Sequence, residues 1–189
     1  MSKFLIAVGL IGLALTTTPL RADTDAAESA LRAQLETALW PGDIVRLADQ
    51  YQQQFPGGSS AAMAAQLRQQ ASVSMQVLSR SEVRLHRSAF RAADAPEAVQ
   101  EDLRRAALGD KEAAVRLARH QQREDADAVH AGHRYVGWLQ LASFLGDERA
   151  SYELALHFRR QDQPLLATQY ETLALNMGFR APPSLDQRR

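Results

Sequence analysis

An all-α fold, with antiparallel helical hairpins stacked as a short α–α superhelix, is predicted by three features of this chain. One short signature occurs three times, as Ala107-Leu108-Gly109-Asp110, Phe144-Leu145-Gly146-Asp147 and Asn176-Met177-Gly178-Phe179. Two spacings also repeat. Ala113-(x3)-Leu117-Ala118 returns as Ala150-(x3)-Leu154-Ala155 after 37 residues, and Trp138-(x3)-Ala142-(x3)-Gly146 returns as Tyr170-(x3)-Ala174-(x3)-Gly178 after 32. A period in the thirties marks stacked helix pairs, because one hairpin cannot bury its own apolar face and needs a neighbour of the same shape. The third feature is composition. Ala, Gln, Leu and Arg are abundant and clusters of β-branched residues are scarce, which favours helix over strand. No segment is read as a strand.

The elements follow in order. Leu31, Leu35 and Leu39 lie four apart and predict a first helix over 28–39, ended by Pro41-Gly42. Asp43 caps a second, 44–54, whose apolar stripe is Ile44, Leu47, Ala48 and Tyr51. Phe55-Pro56-Gly57-Gly58 breaks it. A long third helix is expected from Ser60 to about Ala93, because Ala64, Ala71, Leu78, Leu85 and Ala92 repeat every seven residues. A rival reading breaks it near Ser79, where Ser79-(x2)-Glu82 fits a capping box. Pro96 opens the next helix, which stops at Gly109. Two helix pairs then follow: 111–122 with 126–144, and 148–160 with Pro164 to Gly178. Glycine closes the second helix of each pair. The segments are therefore 1–22, a leader; 23–95, an N-terminal helical region; 96–179, the repeats; and 180–189, a flexible tail.

Lys3, the apolar run Phe4–Leu15 and a polar stretch ending Leu20-Arg21-Ala22 have the three-part layout of a secretory signal peptide. The apolar run is shorter than the roughly 20 residues a spanning helix needs, so cleavage after Ala22 and residence in a periplasm are expected. The chain has no cysteine, which leaves no disulfide framework and no thiolate metal site. Bases and acids balance at 22 each. The leader carries Lys3 and Arg21 and no acid, so the exported chain is slightly acidic. No global field draws nucleic acid, and no membrane span is expected after cleavage.

The repeated residues Ala113, Leu117, Ala118, Trp138, Ala142 and Gly146, with their second copies Ala150, Leu154, Ala155, Tyr170, Ala174 and Gly178, resemble the Sel1-like subfamily of tetratricopeptide-type repeats over 111–179. The family favours Gly after the first-helix Leu, where this chain has Ala118 and Ala155. The first connection is also five residues longer than the second, the difference between the two repeat offsets. The resemblance implies a binding scaffold with the first helix of each pair lining a concave face. Arg116, Arg119, His120, Tyr152, Leu156 and Arg159 are the positions that would meet a partner protein or peptide there.

Other candidates come from the residues themselves. Arg80, Arg84, Arg87 and Arg91, spaced 4, 3 and 4, share one face of the expected long helix. Such a stripe suits anionic envelope material; a solvated face opposite the apolar stripe is the plainer alternative. Glu124, Asp125, Asp127, His130 and His133 cluster at the start of 126–144, and His130 and His133 are three apart. They lack the second His pair and acid of a zinc-protease motif, and acids at a helix N-terminus complement its dipole, so no metal is assigned. Gly57-Gly58-Ser59-Ser60-Ala61 lacks both the final Gly and the preceding strand of a nucleophile elbow. There is no P-loop or dinucleotide fingerprint. No cofactor and no catalytic residue are assigned, and the expected function is a non-catalytic interaction scaffold.

Overall fold

The computed structural model describes residues 18–91, 95–124 and 132–180. Among these residues the chain is all-helical, with no strand. The helices are α1 (Thr18–Thr37), α2 (Pro41–Gln54), α3 (Ala61–Leu78), α4 (Glu97–Ala107), α5 (Lys111–Glu124), α6 (Gly132–Phe144), α7 (Glu148–Arg160) and α8 (Pro164–Asn176). A 3₁₀ turn spans Arg87–Phe90. Each helix packs on its sequence neighbours in hairpin-like fashion, and α3 also touches α4 and α6. None of these helices is long and apolar enough to cross a membrane. Of the expected leader 1–22, residues 1–17 lie outside the described part and 18–22 belong to α1.

The repeated Leu-Gly-Asp signature is a joint between helices. Gly109, Gly146 and Gly178 have φ of 91°, 96° and 92°, where a side chain would strain the backbone. Behind each glycine a backbone bond closes the helix end. The N–H groups of Asp110, Asp147 and Phe179 donate to the carbonyls of Arg105, Ala142 and Ala174, each at 3.0 Å. The aspartate then starts the next helix. Asp110 Oδ1 accepts from the Ala113 N–H at 2.9 Å, and Asp147 Oδ1 from the Ala150 N–H at 2.7 Å. The small residues of the repeated spacings, Ala118, Ala142, Ala155 and Ala174, are all fully buried, which allows close helix approach.

The N-terminal helices join the repeats through polar contacts to helix ends. The Arg104 guanidinium on α4 donates to the carbonyl of Ala38 at 3.0 Å, just past the end of α1. Ser74 on α3 donates to the Ala106 carbonyl at the end of α4, also at 3.0 Å. Both donors reach carbonyls at or just past helix ends, and the Ala106 carbonyl also accepts from the Gly109 N–H at 3.1 Å. Glu28 on α1 accepts from the Tyr51 hydroxyl, and from the Ser59 N–H at 3.0 Å, and so clasps the 55–60 loop onto α1.

Three expectations need correction. The first helix spans Thr18–Thr37 rather than 28–39, beginning inside the segment read as a leader, and Pro41 opens α2 instead of closing α1, the position where its missing N–H is harmless. Asp43 therefore lies inside the first turn and pairs with Arg87 at 2.6 Å. The long helix 60–93 does not form. Helix α3 ends at Leu78, and Ser79 turns its hydroxyl back onto the Gln76 carbonyl at 2.8 Å. The break predicted by the rival reading is present, but among the described residues only the 3₁₀ turn Arg87–Phe90 follows it before α4. Val83 and Leu85 are buried while Arg84 and His86 are exposed, and a period of two belongs to extended chain. Two adjacent alternations were too few to register as a strand pattern, and the heptad phase of Leu85 was coincidental.

Candidate functional site

The extended residues that replace the long helix form a strap across α6. Its backbone lies against Gly137: a Cβ added there would come within 2.8 Å of the Arg84 carbonyl oxygen and 3.0 Å of Leu85. The strap is held by one side-chain amide. Gln140 Oε1 accepts from the Arg84 N–H at 2.8 Å, and Gln140 Nε2 donates to the Tyr170 hydroxyl at 3.0 Å. The two partners fix the amide orientation, since an acceptor must face the peptide N–H. Phe90 anchors the far end, its ring 4.8 Å from Trp138 and 5.2 Å from Trp40. With the strap in place, α6 is buried on every side from Tyr135 to Ser143.

On the N-terminal side of Arg84, beside Ser81 and Glu82, an open groove of about 380 Å³ runs between α6 and α8. Its apolar walls are Phe144, Phe158, Leu166, Tyr170 and Leu173. Phe158 stacks on Tyr170 at 5.5 Å with rings 15° apart, and Arg80 lies 4.5 Å over the Phe144 ring. Glu82, Arg84 and Gln169 supply polar groups at the edge. Burial holds the Tyr170 hydroxyl above its ordinary pKa, so it stays a neutral donor and acceptor. An apolar trough with a few convergent polar groups is the usual form of a binding site.

The six helix-face residues expected to meet a partner do not converge on one surface. Arg116 turns toward the preceding helix and makes a forked pair with Asp102 on α4, at 2.6–3.1 Å. His120, one turn later, lines a smaller cavity of about 240 Å³ with Arg91, Arg134 and Trp138. Tyr152 and Arg159 turn the other way. Tyr152 stacks on Phe179 at 4.5 Å, and Arg159 pairs with Glu171 on α8. Arg119 and Leu156 are exposed. The shared helical phase is real, but α5 and α7 each have a second helix on both sides, and long side chains reach whichever side carries a partner.

The four arginines also separate. Arg80 lies over Phe144, Arg87 pairs with Asp43, Arg84 engages through its backbone, and Arg91 borders the smaller cavity. The anionic-ligand reading loses the single face on which it rested. Of the acid–histidine cluster, Asp125, Asp127 and His130 lie outside the described residues; Glu124 and His133 are exposed.

Gly137 and Gln140 went unnoticed as site residues. Both carried a signal. A glycine inside a helix costs about 1 kcal/mol relative to Ala, so its presence between Val136 and Trp138 marks close backbone approach. A glutamine within the apolar run Tyr135–Leu141 needs a buried partner. Another pair, Tyr135 on α6 and Glu153 on α7, is joined by a hydroxyl–carboxylate bond of 2.7 Å, and burial followed by that bond pushes the Tyr135 pKa up. Compared with protein-family models, curated proteins and solved structures, the chain finds no match in any of the three comparisons.

Proposed function

We propose that this protein is a periplasmic interaction scaffold of Sel1-like helical hairpins, without catalytic activity, that holds an extended segment of a partner protein in the groove between α6 and α8. The observation that carries the reading is the strap. The helical face already binds one extended stretch of chain, by a carboxamide on its backbone and apolar recesses for alternate side chains. Backbone capture of this kind is indifferent to sequence, while the recesses select side chains. The same face runs on unfilled beside α8, lined by aromatic rings of the sort that dominate interface energy. The preferred partner segment is extended and places a large apolar side chain against the wall formed by Phe144, Leu166 and Leu173. The signal-like layout of residues 1–22 supports action outside the cytoplasm.

The test is selection of peptides from a displayed library against the protein, followed by anisotropy titration of the best binder. Leu166→Glu and Leu173→Glu are expected to weaken it by about tenfold or more, as loss of a central interface contact does, with helical circular dichroism retained. Arg116→Ala combined with Tyr152→Ala is expected to leave binding unchanged. The reverse pattern would move the site to the α5–α7 face and overturn the groove.

A further inference from the structure

We propose that the outer face of α8 is a two-fold interface between two copies of this chain. Helix α8 carries a single charged residue, Glu171, and that residue is paired with Arg159. The stripe that faces outward carries no charged residue; the Glu171–Arg159 pair lies at its edge. On that face stand Leu165, Thr168, Thr172 and Leu175, with Leu165 81% and Leu175 58% exposed. At 100° per residue these four fall within an arc of about 80°. The exposed faces of α5 and α7, by contrast, carry Arg119, Arg123, Arg149 and Arg160.

The order of the stripe says what covers it. Leu, Thr, Thr and Leu are spaced 3, 4 and 3, and read the same from either end. A two-fold axis crossing α8 at the level of Tyr170 sets Leu165 against Leu175 of a second copy, and Thr168 against its Thr172. The result is an isologous contact, which closes as a dimer rather than growing into a fibre. Threonines near the axis permit close approach, and leucines fill the wider gaps at both ends. The antiparallel arrangement also opposes the two helix dipoles. The contacting stripe itself holds no charge, and the Glu171–Arg159 pair borders it. This face points away from Leu166, Tyr170 and Leu173, so the groove stays open in the dimer. A single helix of about 20 Å gives a contact at the small end of specific interfaces, and the dimer is accordingly concentration-dependent.

Sedimentation velocity on protein expressed from the full sequence, over about 1–200 µM where mass action acts on a weak dimer, reads this directly. Wild type is expected to shift from monomer to dimer, and Leu165→Glu with Leu175→Glu to remain monomeric with unchanged helical content. A second measurement fixes the geometry. The chain has no cysteine, so Thr168→Cys and Thr172→Cys each introduce the sole thiol. Oxidation of a mixture of the two variants is expected to give several-fold more covalent dimer than either alone. Monomer at every concentration, a dimer that survives the double glutamate variant, or Thr168→Cys cross-linking to itself as well as to Thr172→Cys would each overturn the proposal.

Discussion

Helices α6 and α8 carry the same spacing, an aromatic residue, then Ala, then Gly at intervals of four, yet they end in opposite surroundings. Helix α6 is buried all round from Tyr135 to Ser143, with the strap crossing it at Gly137. The position 32 residues later on α8 is Gln169, which is exposed and borders the open groove. The repeated residues set how each helix sits in its hairpin: Trp138 with Tyr170, and Ala142 with Ala174, are buried alike. A residue outside the spacing decides what covers the remaining face. Where the side chain is a hydrogen atom, the chain's own backbone fits. Where it is a carboxamide, the face stays uncovered.

That contrast can be broken by experiment. The largest expected effect is at the strap's anchor. Phe90→Ala should lower stability by about 3–5 kcal/mol, the usual result of emptying an aromatic core site, whereas Leu165→Ala on the outer face of α8 should stay within about 0.5 kcal/mol; chemical denaturation measures both. Next is the crossing point. Gly137→Val drives a side chain into the Arg84 carbonyl and should lose stability near the top of the roughly 1–3 kcal/mol seen for overpacking. Gln169→Val, its counterpart, should be close to neutral. Equal melting temperatures for those two variants would show that the strap does not rest on α6.

At the repeated positions the contrast should vanish. Ala142→Leu and Ala174→Leu are both expected to destabilise by roughly 1–3 kcal/mol, since each is fully buried at a close helix contact. A large effect at one and none at the other would mean that the two hairpins are packed by different rules.

The smallest effect is in the pH profile. His157 on α7 lies 5.8 Å from the Tyr135 ring and 5.4 Å from Phe158, and burial, then Arg160, lowers its pKa. Its folded value is below its unfolded one, so the unfolded chain binds more protons in that interval. Stability from this site is complete above the ordinary histidine pKa of about 6.5 and falls as pH drops through the lowered folded value. His157→Gln should flatten the profile there, and a profile unchanged by the substitution would place the titration elsewhere. An acidic counterpart is Glu28, whose pKa is lowered first by the Tyr51 hydroxyl; its contribution is lost only at lower pH, below the ordinary carboxylate range.

The sequence by itself determined the helical hairpins. Residues 148–178 were legible almost to the residue: 148–160 is α7, Pro164 opens α8, and Gly109, Gly146 and Gly178 take the left-handed conformation expected of helix ends, while of the expected helix 126–144 residues 126–131 lie outside the described part and α6 covers Gly132–Phe144. These features depend on neighbours within one turn, through local backbone bonds, caps and proline geometry, and a sequence displays such neighbours directly. The tertiary structure alone decided the fate of 79–91. Heptad phase and a period of two compete there, and the competition is settled by α6, more than forty residues away, where Gly137 leaves a channel of backbone width and Gln140 offers an acceptor. It also decided that Arg116 and Tyr152 part company, because an exposed arginine or tyrosine follows the nearest carboxylate or ring, and those partners, Asp102 and Phe179, belong to different neighbours in space.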